Sequence, residues 1–72
     1  MKLSTPQRRM LSLLVKEGEA YPPWGNRAAG RAAAAWHRTV DSLIRMGLAT
    51  RRLHEPARPT QAGIEWLQRS GL

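Results

Sequence analysis

The fold is decided by residues 27–46, RAAGRAAAAWHRTVDSLIRM. At about 100° per residue, the apolar side chains Trp36, Val40 and Leu43 fall within an arc of about 60° on a helical wheel. Such an arc predicts an α-helix that buries one face against a core. Four arginines fall within about 40° of one another on the opposite side and predict a basic exposed face: Arg27, Arg31, Arg38 and Arg45.

Gly30 interrupts this pattern. Glycine inside a helix costs about 1 kcal/mol relative to alanine. Residues 26–46 are therefore either one helix or two helices that meet at a turn. The sequence favours two elements, at residues 26–31 and 33–46, and in that case Arg27 leaves the basic face.

The segment that follows predicts a small β-hairpin and a further helix. Gly47 is expected to end the long helix, and residues 48–53, LATRRL, predict a short strand. Residues 54–59, HEPARP, predict a turn whose prolines restrict the returning strand to a very short or edge position. Thr60 is then the predicted N-cap of a helix with these apolar residues: Ile64, Trp66 and Leu67.

A shorter amphipathic helix is predicted ahead of this stretch, from the N-cap Thr5 to the stop signal Gly18. Its predicted apolar face consists of Met10, Leu13 and Leu14, with Leu11 beside them. Residues 19–26, EAYPPWGN, contain two prolines and a glycine and so predict a connector. Tyr21 and Trp24 of that connector are expected to lie beneath the core.

Length, charge and cysteine content narrow the function. The 72 residues allow one domain, and the absence of cysteine excludes disulfides, Cys-based zinc sites and a catalytic thiol. The net charge of +7 favours a polyanionic partner: nucleic acid first, an anionic membrane second and an acidic protein third. Ten of the twelve cations are arginine, which suits phosphates and guanine edges. Codon usage in a GC-rich genome is the alternative explanation for arginine over lysine, but it does not explain the excess over acids.

No targeting or membrane-spanning segment is expected. The N-terminal sequence MKLSTPQRR carries charge where a signal peptide needs an apolar stretch. The longest apolar run, residues 32–36, is far shorter than the roughly 20 residues that span a bilayer. We therefore expect a soluble, cytoplasmic protein without a membrane partner.

Three short motifs follow one another along the chain. Residues 5–11, TPQRRML, open the first helix, and residues 38–49, RTVDSLIRMGLA, place an apolar pair before a basic residue and Gly-Leu. Residues 60–63, TQAG, open the last helix. In this order they resemble the first-helix start, the recognition-helix end and the Leu-Thr-x-x-Gly motif of winged helix-turn-helix domains. The resemblance is to MarR-type and related small bacterial and phage transcriptional regulators. The chain departs from that pattern at residues 24–26, where the second helix normally has its own cap, and at Pro59, within the wing.

The resemblance implies a mainly α fold with a small β-hairpin wing (α+β), as a single winged helix-turn-helix domain over residues 1–72. It also implies a small transcriptional regulator that binds double-stranded DNA, with the helix ending at Met46 in the major groove. Arg38 is then the best candidate for guanine, and Arg45 for a phosphate. The residues expected at the DNA are Arg31, Ala34, Ala35, His37, Arg38, Ser42 and Arg45 on the helix, and Arg51, Arg52 and Arg58 around the wing.

A second function class stays open beside the first. The winged-helix surface could serve as a protein-interaction module, such as a phage- or plasmid-type inhibitor of a host nucleic-acid machine with a host protein as partner. A homodimer fits the first class. The sequence leaves undetermined the DNA sequence recognised, the sign of regulation and the oligomeric state.

Enzymatic activity is not expected. The chain has no cysteine, two histidines and no carboxylate pair at a spacing that suits acid–base chemistry. His37 and Asp41 have the i, i+4 spacing of metal ligands. Without a third ligand nearby they are expected to be a solvent-facing pair, so we expect no metal and no cofactor.

Overall fold

Chain-breaking residues separate five elements in the computed structural model, which describes residues 2–23, 29–53 and 55–70. The helices are α1 (Thr5–Glu17), α2 (Ala29–Arg45) and α3 (Gln61–Arg69), and the antiparallel strands are β1 (Ala49–Thr50) and β2 (Arg58–Pro59). The described part of the chain is therefore a small α+β domain with a two-stranded hairpin, which confirms the predicted α+β class. No helix in this part has the length and apolar character needed to span a bilayer.

Helix α1 is capped by Ser4, one residue before the predicted cap Thr5. The backbone N–H of Ser4 donates to Oε1 of Gln7 (2.8 Å), and the N–H of Gln7 donates to Oγ of Ser4 (3.3 Å). This capping box needs a side-chain acceptor three residues after the cap. The prediction was wrong because Arg8, three residues after Thr5, has no acceptor to offer. The predicted stop at Gly18 is confirmed, with φ of 86°.

Helix α2 runs without interruption through Gly30 and residue 32, so the predicted break between two elements, 26–31 and 33–46, is wrong. Gly30 lies in the first turn, and residues 32–35 that follow are alanines with the highest helix propensity. Their preference offsets the cost of the glycine. Arg27 lies outside the described residues.

The chain leaves α2 through a tight turn at Gly47 and Leu48. Gly47 has φ of 77°, and the N–H of Leu48 donates to the carbonyl of Leu43 at 2.9 Å, as in a Schellman motif. The hydroxyl of Thr60 donates to the carbonyl of Gly47 (2.6 Å), and its backbone N–H donates to the carbonyl of Leu48 (3.1 Å). The same hydroxyl accepts from the N–H of Gly63 (3.1 Å), which confirms Thr60 as the N-cap of α3. One threonine therefore ties α2, the hairpin and α3 together.

The hairpin is shorter than the predicted strand over residues 48–53. The paired residues are Ala49 with Pro59 and Thr50 with Arg58. Proline has no N–H to donate to a ladder, so the return strand is very short, as predicted. The basic residues after Thr50 consequently lie outside β1.

The segment after α1 runs beside the hairpin. Ala20 and Ala57 are buried and exchange two backbone hydrogen bonds of 2.9 Å. Successive side chains of extended backbone point to opposite sides, and Tyr21 is 58% exposed. Its predicted place beneath the core is therefore wrong, and Trp24 lies outside the described residues.

The core lies between the helices. The fully buried large side chains are Leu11, Leu14, Val40 and Leu43. Trp36 is buried with them, which confirms the predicted apolar arc of α2. Leu13, predicted on the apolar face of α1, is 43% exposed instead. The prediction failed because the buried side of α1 centres on Leu11, which the sequence placed beside that face.

Two helical glycines should respond oppositely to alanine. At Gly63 an added Cβ would overlap the carbonyl oxygen of Leu48 and lie 3.0 Å from Cδ1 of Leu11. We expect Gly63→Ala to destabilise the fold by about 1–3 kcal/mol. At Gly30 a Cβ meets no described atom within 4 Å, so Gly30→Ala should stabilise by up to about 1 kcal/mol. Thermal unfolding measures both changes, and a Gly63→Ala variant as stable as the wild type would contradict the packing of α3 on the turn.

Candidate functional site

The exposed face of α2 carries Arg31, Arg38 and Arg45 at intervals of seven residues. Seven residues make almost two helical turns, so the three side chains form a row about 21 Å long. We call it the arginine row. All three side chains are exposed, as are Ala34 and Ala35 between them. Because alanine is small, a ligand can approach the helix closely along this row.

No acidic side chain in the described part of the chain forms an ion pair with the arginine row. The ion pairs there join Arg58 to Glu19 (3.7 Å) and Arg69 to Glu65 (3.9 Å), and none involves α2. Asp41 is the acidic residue of α2, and it is exposed at the edge of the row. The row is therefore a concentrated, solvent-facing positive surface.

Ser42, predicted to flank the DNA-binding face, lies where α2 meets α1. Its hydroxyl accepts a hydrogen bond from Nε2 of Gln7 (2.9 Å) and donates to the carbonyl of Thr39 (2.7 Å). Both bonds are partly buried. Ser42 therefore joins two helices along one edge of the arginine row.

His37, predicted to flank the other edge, contacts the residues after β1. Nη1 of Arg51 lies 3.2 Å from Nδ1 of His37, and the guanidinium carbon lies 5.1 Å from the centre of the Trp36 ring. Nε of Arg51 also donates to the carbonyl of Glu55 at 3.2 Å. Arg51, a predicted DNA contact, is thus already in polar contact with His37 and Glu55 within the protein.

The other two predicted hairpin arginines differ from each other. Arg52 is exposed, whereas Arg58 is exposed but paired with Glu19. Glu19, the partner of Arg58, also acts on Tyr21. A hydrogen bond from the Tyr21 hydroxyl to Glu19, and the charge of that carboxylate, raise the pKa of the hydroxyl. The arginines border a depression of about 300 Å³ on the hairpin, which is lined by Thr50, Arg51, Arg52, Glu55, Pro56 and Arg58.

Two surface features were missed from the sequence. Leu53 is 85% exposed in the segment that links the strands. An apolar groove of about 510 Å³ also opens between α1 and α2, with Leu13 and Trp36 among its lining residues. The position of Leu13 off the centre of the α1 apolar arc is the signal that could have indicated the groove.

Metal-binding side chains do not converge within residues 2–23, 29–53 and 55–70. No group of three or more His, Cys, Asp or Glu side chains there could hold an ion. His37 and Asp41 gain no third ligand among these residues.

No protein-family model, curated protein or solved structure matches the chain.

The Gln7–Ser42 contact should be measurable as a coupling between α1 and α2. In a double-mutant cycle, Gln7→Ala and Ser42→Ala should show a coupling free energy of about 0.5–1.5 kcal/mol, because either change removes the same hydrogen bond. The cycle cancels the helix-propensity change of each substitution. Gln7→Ala with Arg52→Ala is the matched control and should be additive in urea unfolding, because Arg52 is an exposed residue of the hairpin segment. An additive Gln7–Ser42 pair would contradict a structural role for Ser42.

Proposed function

We propose that this domain binds double-stranded DNA as a small winged helix-turn-helix transcriptional regulator, with α2 as its recognition helix. The arginine row carries the proposal. It places three exposed guanidinium groups on one helix face, and none of them is in an ion pair with a described acid. The major groove, about 12 Å wide, admits an α-helix, and arginine binds both phosphates and guanine edges.

The arrangement of elements supports the same proposal. A hairpin directly follows α2 and is joined to it by the Gly47–Leu48 turn. Ala20, after α1, bridges to Ala57 and adds a third extended segment beside the hairpin. From α2 onward, the order of long helix, short hairpin and last helix is the one that the resemblance to winged helix-turn-helix domains implies, with the hairpin as a short wing.

Different arginines take different roles in this proposal. Arg38, in the middle of the row and close to Ala34 and Ala35, makes a bidentate contact to guanine. Such a contact discriminates against the wrong base by about 1–3 kcal/mol. Arg45, in the last turn of α2, contacts a phosphate, as does the exposed Arg52 on the wing.

Salt-dependent binding to random-sequence duplex DNA tests the proposal. The wild type should bind, and the logarithm of its affinity should fall linearly with the logarithm of salt concentration. Arg45→Gln should make the slope shallower by about 0.9, the value for one phosphate contact. Arg69→Gln removes the same charge from α3 and is the matched control, for which the slope should stay unchanged. Fluorescence anisotropy measures both slopes.

Selection of bound duplexes from a random pool tests base reading. We expect a consensus in which Arg38→Gln relaxes the preference at one guanine while leaving Tm nearly unchanged, because this side chain is exposed. A palindromic consensus would indicate a homodimer, since two-fold DNA sites mirror two-fold protein symmetry. No binding by the wild type at low salt would overturn DNA binding. A protein partner for the arginine row would then be the alternative.

A further inference from the structure

The guanidinium of Arg51 contacts both helix α2 and the segment that links the two strands. One terminal nitrogen faces Nδ1 of His37 at 3.2 Å, and the planar group lies 5.1 Å from the centre of the Trp36 ring. Nε donates to the carbonyl of Glu55, on the far side of the hairpin loop. Arg51 is half-buried, whereas its neighbour Arg52 is exposed.

The chemistry of the guanidinium sets the direction of its contact with His37. Arginine carries N–H donors and no acceptor. In this contact the guanidinium is the donor and Nδ1 of His37 the acceptor. The imidazole packs edge-on against Trp36, with ring centres 5.0 Å apart and an interplanar angle of 88°. Arg51 therefore contacts two neighbouring rings of α2. Its guanidinium lies over the Trp36 ring and donates to the His37 ring.

We propose that Arg51 is a positioning residue, which locks the hairpin against α2 instead of binding a phosphate itself. The His37–Arg51–Glu55 contacts, which we call the Arg51 joint, set the angle between the wing and the recognition helix. The DNA consequence of this inference rests on the proposed function.

The short hairpin explains why such a joint is needed. Each strand has two residues, and a two-stranded hairpin of this kind is at most marginally stable on its own. Beyond Thr50 the chain leaves the ladder, so its pairing cannot hold the loop at a fixed angle to α2. Arg51, the next residue, supplies that connection through its side chain.

The joint itself is tested without DNA. In the wild-type protein, NMR should show the Arg51 side chain close to the Trp36 indole through nuclear Overhauser effects, and a slowly exchanging Arg51 Nε–H. Arg51→Lys should abolish the tie to Glu55, because an ammonium cannot reproduce the planar fork of donors. Hydrogen exchange at the Glu55 amide, which donates to the carbonyl of Arg52 at 3.0 Å, should then become faster. A mobile Arg51 side chain without contact to Trp36 would overturn the joint.

The positioning role is tested on duplex DNA with charge-conserving variants. Arg51→Lys should weaken binding roughly tenfold, a change of about 1.4 kcal/mol, with the salt slope of the wild type. Arg69→Lys is the matched control and should bind within about twofold of the wild type, because Arg69 lies on α3, outside the proposed interface, and pairs with Glu65. His37→Ala should also weaken binding. In the double variant the two losses of binding free energy should not add, because both changes break the Arg51 joint.

The outcomes separate the two proposals. A wild-type protein that binds no duplex overturns the proposed function and the DNA consequence of the joint. A wild-type protein that binds, with Arg51→Lys equal to it in affinity, overturns the positioning role alone. An Arg51→Gln variant whose salt slope becomes shallower by about 0.9 would instead make Arg51 a phosphate contact.

Discussion

The turn at Gly47 and Leu48 is the contact on which the rest of the structure depends. It ends α2, starts β1 and accepts both hydrogen bonds that Thr60 donates. The carbonyl of Leu48 also lies against Gly63, so α3 approaches the turn without a side chain between them. A chain of this size buries roughly 60% of its surface on folding. Few contacts are therefore available to orient the elements, and this turn orients three of them.

Features that depend on neighbouring residues could be predicted from the sequence. The glycine stops at Gly18 and Gly47 and the cap at Thr60 follow from backbone geometry within one turn of chain. The buried arc of α2 follows from helical periodicity alone. The predicted cap Thr5 was one residue too late, because the cap is decided by Gln7, whose side chain completes the box with Ser4. In each of these cases the deciding atoms are close along the chain.

Features that depend on distant contacts could not be predicted in this way. A helical wheel treats α2 as an isolated cylinder, so Ser42 and His37 looked like the flanks of an exposed face. In the fold, Ser42 receives a hydrogen bond from α1 and His37 one from Arg51. Tyr21 is exposed for a similar reason, because the buried Ala20–Ala57 bridge determines which way the following residue points. The exposed face is consequently narrower than the sequence indicated.

The spacing of the arginines on this narrower exposed face of α2 determines which kind of anion the arginine row would bind. A small phosphate ligand needs donors that converge on one point, whereas Arg31, Arg38 and Arg45 extend over about 21 Å along α2. Their separation matches a ligand whose charges are also distributed along its length. Hydrogen bonds tie α1 to α2 along one edge of the row and the hairpin segment to α2 along the other. Under the proposed function that ligand is duplex DNA, a stiff, extended polyanion with one negative charge per about 1.7 Å of its axis.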